Sequence, residues 1–570
     1  MPSTDSISDK LINHEDEDSS STDNVSKNKL GTLSGVFSPT ILSMFCVVLF
    51  LRLGWVLAQA GLVQALLITF SAGFITFNTL LSISSICTNG TMKGGGAYYL
   101  ISRALGPEFG GAIGVVFWLA NAFAGVLYTL GFTDTLLHNY PHLNFIHSGD
   151  AEYDLFWTKF IISSGVVFIL TILCLIGADI FSKTVSIIFF AVVIALGFII
   201  VSIIIEPSGS SPGFTSFNWE TFKANLASGY TVNPEDPHGR LYTFGQVFVI
   251  NFPSVTGIMA GVNMSGDLKN PAKSITRGAF GAFSFAMVTY VVLNVLLAFT
   301  TTRQVRLDNY FILQQVCISP LVVNIAAYAV LIGSALSSIV GASRVLQALA
   351  RDDLVPGLSP FKFGSRKGDE PRIATLLTWV IIQVAFFFGS VDSIASIDSM
   401  FFLLSYAVVC LACFLLRIAG APNFRPSFKY FHWSAGLFGV VACTIIMFIS
   451  SPAYAALSYL FLLIIFFYVH FKAPVRLFTE CNGDVSQALL YHTVRKYLLK
   501  MGDKVEHVKY WRPQILAVFR EPDASACVNA IHFVNNLKKV DFSLLHLYSK
   551  VLQINVSRHQ SLQGRTTLTR

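Results

Sequence analysis

Between residues 39 and 471 the chain alternates long apolar runs with short polar links. Each run is about 20 residues, the length a helix needs to cross a bilayer. They fall near 39–60, 62–87, 109–132, 156–176, 184–205, 243–265, 277–299, 320–349, 372–391, 397–418, 432–450 and 452–471. Residues 1–30 are rich in Ser, Asp and Asn, with almost no apolar content, and read as a disordered tail. From Lys472 the pattern becomes that of a soluble segment. Ser486 to Met501 has the spacing of an amphipathic helix, Ile515 to Phe519 reads as a buried strand and Ala524 to Leu537 as a helix. That is the start of an α/β domain cut short, as in a shortened isoform or a truncated gene model. The expected organisation is a tail over 1–30, a twelve-span domain over 31–471 and a cytosolic segment over 472–570.

One run does not suit a continuous helix. Asn251 to Pro271 reads NFPSVTGIMAGVNMSGDLKNP. Pro253 removes a backbone donor and crowds the preceding turn, and Gly257 and Gly261 loosen the backbone beyond it. In hydrocarbon the freed backbone groups need partners, so a broken helix survives only where protein or a polar cavity covers it. Transporters use such breaks to hold substrate: amides at half-helix starts face anions and loose carbonyls face cations. A Pro-kinked packing helix with small residues at a helix contact has the same local signature.

Composition sharpens the membrane reading. Of 570 residues 53% are hydrophobic and 12% charged, with a mean hydropathy of +0.62, against roughly 25% charged in soluble domains. The net charge of +7 is spread through short loops, which excludes a nucleic-acid footprint. Lys93, Arg103, Lys269, Lys273, Arg277, Arg351, Lys362, Arg366, Lys367 and Arg372 lie in alternate loops, and the intervening loops are acidic or mixed. Both termini are therefore expected in the cytosol. Of nine cysteines, Cys317 alone falls in an outward segment, so no exofacial disulfide is expected. Cys410 and Cys413 lie within a span and read as packing residues.

Polar residues interrupt four spans. Leu42-Ser43-Met44-Phe45-Cys46 breaks a run of large aliphatics in the first, and Tyr128 lies deep in the third. Ser334, Ser337 and Ser338 share one face of the eighth. Tyr406 follows Ser405 near the centre of the tenth. Buried Ser also allows close helix contact, and a buried Tyr can simply find one carbonyl. Taken with the broken helix, these residues offer hydroxyls and backbone groups but no carboxylate. That chemistry suits hard monovalent cations with an anion nearby.

The stretches VVLFLRLGWVLAQAGL, MKGGGAYYLISRALGPEFGG, FPSVTGIMAGVNMSGDLKNP and QALLYHTVRKYLLKMGDKVEHVKYWRPQIL resemble the cation–chloride cotransporters, solute carrier family 12. LSMFCVVLFLR and GASRVLQALARDDL are most similar to its cotransporter-interacting, or member-nine, branch. The resemblance implies an all-α membrane protein of twelve transmembrane helices. Its first ten would form a 5+5 inverted repeat with helices one and six broken. It also implies electroneutral symport of chloride with potassium, sodium or both. By the same resemblance, potassium would meet carbonyls of Ser43 and Met44, the Tyr128 hydroxyl, Pro253 and Thr256. Sodium would meet carbonyls of Leu42, Phe45 and Ser334 and the hydroxyls of Ser337 and Ser338. One chloride would rest on amides of Cys46, Val47 and Val48. The other would rest on amides of Gly257, Ile258 and Met259 with the Tyr406 hydroxyl. Where many members carry Asn-Ile-Trp-Gly, this chain has Ser43-Met44-Phe45-Cys46, without the glycine that best accepts an odd backbone. No enzyme chemistry and no cofactor are implied; the ions are substrates. Expected partners are membrane lipid, inorganic ions and a second copy or a related cotransporter, with no nucleic acid. The expected location is the plasma membrane, with an endolysosomal membrane as the alternative. Fold does not fix substrate, so ammonium, organic-cation or amino-acid transport stays open, as does a non-transporting regulator of related cotransporters.

Overall fold

The computed structural model describes residues 30–89, 95–144, 146, 151–207, 209, 211–233, 239–353, 355, 357–365, 369–388, 391–418, 424–472, 493–497, 514–517 and 541–544. The chain divides into two compact units, Met1–His492 and Thr493–Arg570.

The first unit is all-helical where described. Among the described residues nine helices are long and apolar enough to cross a membrane, and one bent pair, Phe244–Asn251 with Pro253–Asn263, qualifies if taken as a single span. Arg372–Ala385 is a shorter apolar helix. The stretch Leu33–Cys87 is helical over 55 residues. Straight, it would be about 80 Å long, well over twice the roughly 30 Å hydrocarbon core. It is interrupted twice. Gly61 has a left-handed φ of 67°, and a side chain there would strike the Ala227 carbonyl. The Leu62 amide donates at 2.8 Å to the Asn225 carbonyl, which fastens this turn to the 219–230 loop. The other interruption lies at Cys46.

Burial separates core from rim. The most apolar window of Leu33–Cys87 is 94% buried, and that of Glu108–Asn139 is 83% buried. Pro452–Phe471 is only 17% buried. Ala178–Ile205 exposes Ile187, Phe190, Ile194, Val201 and Ile205 along its length, as expected of a helix that faces lipid. Within the core, the Pro320–Arg351 helix packs against Pro107–Asn139, and Ser38–Val47 packs against Pro320–Arg351 and Pro271–Thr300. Val391–Ile418 packs against Pro107–Asn139 and the Pro253–Thr256 turn. The first and second broken helices therefore meet inside a ring of straight ones. Cys410 lies against Thr79 and Ser82 at 3.6 and 3.7 Å, a packing contact between helices.

Of the second unit, Gln514–Ala517 and Asp541–Leu544 form a parallel strand pair, with Gln514 opposite Asp541. The strand expected at Ile515–Phe519 thus begins at Gln514. Residues 493–497 of the first expected helix are helical. The helix expected over Ala524–Leu537 and the tail over 1–29 lie outside the described residues.

Candidate functional site

The second broken helix starts on a capping box: the Gln246 amide donates to Thr243 Oγ1 and the Thr243 amide to Gln246 Oε1. It runs to Asn251, and Pro253 opens the next short helix at a position where its missing N–H costs little. Gly257–Met259 then winds as a tight 3₁₀ turn, and the two halves bend by 43°. The first broken helix contains no Pro or Gly at its break. There Cys46 leaves the helical path, with φ of 16° and ψ of −160°, and Val48–Arg52 continues as a wide π turn.

The two breaks touch. A Cβ on Gly257 would lie 2.6 Å from Ser43 Cβ and 2.8 Å from the Met44 nitrogen, so the backbones pack with no space for a side chain. Leu42, Ser43, Met44, Phe45, Cys46, Val47, Val48, Pro253, Thr256, Gly257, Ile258 and Met259 are all buried.

Breaking a helix orphans the carbonyls that would have accepted four residues on. At each break neighbouring helices supply the missing donors. Ser334 Oγ donates to the Leu42 carbonyl at 2.7 Å, whose helical partner would have been the Cys46 amide. The Tyr290 hydroxyl donates to the Met44 carbonyl at 2.7 Å, because the Val48 amide turns instead to Phe45. Ser399 Oγ donates to the Val249 carbonyl at 2.9 Å, the acceptor that Pro253 cannot serve. The Tyr406 hydroxyl donates to the Thr256 carbonyl, since the Ala260 amide goes to Gly257.

These bonds qualify the assignments carried by the resemblance. The Leu42 and Met44 carbonyls each already accept one hydrogen bond, and each keeps a second lone pair for a cation. Ser334, assigned there through its carbonyl, meets the first break through its hydroxyl. Ser337 Oγ donates to Gly333 of its own helix at 2.8 Å and retains acceptor capacity; Ser338 beside it is buried. Tyr128 is buried next to Cys46, Thr256 and Tyr406. The Val48 amide is engaged by Phe45, and the Cys46 thiol itself lies against the amides of Val47 and Val48. The Tyr406 proton points at a carbonyl rather than at open space.

One correction is larger. The centre does contain a carboxylate. Asp398 is fully buried, and neither of its oxygens has a hydrogen-bond partner among the described residues. It lies within electrostatic reach of Cys46, Tyr128 and Tyr406. The hydropathy pattern starts the tenth span at 397, which puts Asp398 at its edge. The helix actually starts at Val391, two turns earlier, and carries Asp398 inward. The signal was an acidic residue in SIDSMFF, because an ionisable group inside a membrane helix is a functional candidate by default. Tyr290 and Ser399 were missed for a different reason: nothing in their own segments marks them, and only the packing shows which orphaned carbonyl each one meets.

Toward one end of the site Arg52 pairs with Asp392 at 2.7 Å, and its guanidinium lies 4.3 Å from the Tyr310 ring centroid. Elsewhere in the first unit Arg344 pairs with Asp267, just beyond the second broken helix.

Comparison with known proteins agrees with the motif-level resemblance. The amino acid permease family profile matches residues 35–517. Solute carrier family 12 member 9 of Danio rerio is 40% identical over 531 residues, covering 90% of this chain and 58% of that protein. The Homo sapiens protein of the same name is 37% identical over 540 residues, covering 90% and 57%. Vacuolar cation-chloride cotransporter 1 of Saccharomyces cerevisiae is 35% identical over 530 residues, covering 91% and 45%. The chain thus spans about half the length of the relatives it matches. It belongs to the amino acid permease family and is similar over nine-tenths of its length to solute carrier family 12 member 9 proteins.

Proposed function

We propose that the protein is a secondary-active symporter that carries chloride with potassium, sodium or both across a membrane. The observation that carries this reading is the meeting of two helix breaks at Gly257 and Ser43–Met44, where the hydroxyls of Ser334, Tyr290 and Tyr406 bond the freed carbonyls and Tyr128 is buried beside them. Oxygen ligands of this kind suit small hard cations, and half-helix starts suit an anion. The relatives named as cation-chloride cotransporters support cation–chloride cotransport in general. In this reading the chain crosses the membrane twelve times, the first ten helices form two inverted repeats, and both termini lie in the cytosol. The vacuolar name of one relative favours an internal membrane over the plasma membrane.

The family profile is named for amino acids, which favours a second reading, transport of a small organic solute. The contact of Gly257 with Ser43 and Met44 leaves little space for one. Purified protein in liposomes separates the two. Rubidium, sodium, ammonium and chloride fluxes are measured as each ion is removed in turn. Rubidium uptake that stops without chloride supports symport; amino-acid uptake indifferent to chloride refutes it.

A further inference from the structure

We propose that Asp398 is the proton-exchanging ligand of the cation site, so that a cation and a proton compete for one buried carboxylate. This deepens the symport reading and rests on the centre being a cation site. Three observations lead to it. Asp398 is completely buried. Both of its carboxylate oxygens lack hydrogen-bond donors among the described residues, although Ser399, the next residue, and Tyr406 on the same helix both find carbonyls. Finally, it lies within electrostatic reach of Cys46 at the first break and of Tyr406, whose hydroxyl bonds the Thr256 carbonyl at the second.

The groups around it explain why it stands alone. The titratable groups within its electrostatic reach are Cys46 on the first broken helix, Tyr128 on the Pro107–Asn139 helix and Tyr406 on its own. None of these is a cation at neutral pH. The charged pair on the same two helices, Arg52 and Asp392, is engaged with itself. A carboxylate stripped of water and donors cannot persist as a lone anion. It is neutral with a proton or paired with a cation. The lone pairs left on the Met44 and Thr256 carbonyls, and on the Tyr128 and Tyr406 oxygens, provide the remaining ligands a monovalent cation needs.

The exchange balances simply. The protonated carboxyl meets an entering cation, the O–H bond breaks, and the proton leaves to the aqueous side that supplied the cation. The carboxylate–cation pair has the same net charge as the carboxylic acid, so the buried site never holds an uncompensated charge. By linkage, the concentration of cation needed for half-saturation rises about tenfold for each unit of pH below the range where the empty site is ionised.

The test uses the full chain, purified, as wild type, Asp398→Asn and Asp398→Glu. Rubidium, sodium and ammonium titrations are followed by thermal unfolding at several pH values, and proton release is followed with a dye in weakly buffered solution. The same proteins in liposomes report rubidium flux with and without chloride. The expected result is cation binding that weakens about tenfold per pH unit and releases one proton in wild type. Asp398→Asn, which keeps the volume and loses the charge, should fold, release no proton and lose the pH dependence. Asp398→Glu should restore proton release. Chloride-dependent flux whose pH profile is unchanged in Asp398→Asn overturns the Asp398 site and leaves symport standing. Flux indifferent to chloride, together with Asp398-dependent proton release, overturns symport and leaves the site. Wild type that no cation stabilises overturns both.

Discussion

The two broken helices reach the same end from opposite starting points. The second is broken by its own sequence, because Pro253 and the Gly257 turn would interrupt a helix anywhere. The first has only Leu42 to Val48 around its break, a stretch with neither of the strong helix breakers, Pro and Gly. Yet both are stitched by a pair of hydroxyls from neighbouring helices, Ser334 and Tyr290 on the first, Ser399 and Tyr406 on the second. The first break is therefore held open by tertiary partners and by the second break pressed against it. The second is open locally, and its partners only satisfy it.

The contact between them is the place to break the comparison most severely. Gly257→Val puts a branched side chain where a single Cβ already meets Ser43 and the Met44 backbone. Backbone cannot yield as a flexible side chain would, so overpacking of about 3 kcal/mol or more is expected. Thermal unfolding of purified protein should fall by many degrees and chloride-dependent flux should vanish. A variant as stable and active as the parent would show that the breaks are not in contact.

The next largest effect separates the two mechanisms. Ser334→Ala with Tyr290→Phe strands the Leu42 and Met44 carbonyls without donors, at a cost of about 1–3 kcal/mol for each buried acceptor. Because nothing local keeps the first helix open, it can also escape by closing into a continuous helix, which would deform the site. Ion flux should therefore fall further than stability does. Equal, small losses in both would mean that the break belongs to the Leu42–Val48 segment itself.

The matching pair on the second break should cost less. In Ser399→Ala the Val249 carbonyl keeps the Phe252 amide at 3.3 Å, so about 0.5–1 kcal/mol is expected. Tyr406→Phe leaves the Thr256 carbonyl with the first bond of the Gly257–Met259 turn and should cost about 0.5–1.5 kcal/mol. Pro253 still forbids a continuous helix, so the shape of the break should survive. Rubidium half-saturation in these variants should shift less than in the Ser334–Tyr290 double variant. The reverse order would contradict the tertiary origin of the first break.

This contrast also explains how much of the site is legible in the sequence. Pro253 and Gly257 announce the second break, because their constraint is covalent and local. Tyr128, Ser334 and Tyr406 stand out as hydroxyls too deep in apolar runs, and the fold places each against one of the breaks. Cys46 could only be suspected as part of a polar interruption, because its backbone departs from the helix in response to partners far along the chain. Tyr290 and Ser399 look like ordinary residues of apolar helices until the orphaned carbonyls are located. Asp398 was visible but misplaced: hydropathy puts a span's edge where polar residues start, and a buried charge near that edge moves the apparent end inward.

The smallest effect on stability is expected at Ser337 and Ser338, and for that reason they give the sharpest test of sodium coupling. Ser337 donates only to Gly333 of its own helix, a bond that contributes little or slightly weakens a helix. Alanine keeps the small volume that lets the Pro320–Arg351 helix approach the first break. Ser337→Ala with Ser338→Ala should therefore cost about 1 kcal/mol or less, the net worth of one such hydrogen bond. Ser334 meets the Leu42 carbonyl, and the two serines follow it within the next turn or so of the same helix; sodium, small and strongly hydrated, needs several such oxygens at once to replace its water. Loss of two of them should abolish sodium stimulation of rubidium uptake and leave the sodium-independent rate unchanged. If the parent ignores sodium removal and the double variant transports as the parent does, these serines serve packing alone, and the cation chemistry of the centre rests on the other side of the first break, with Tyr128 and Asp398.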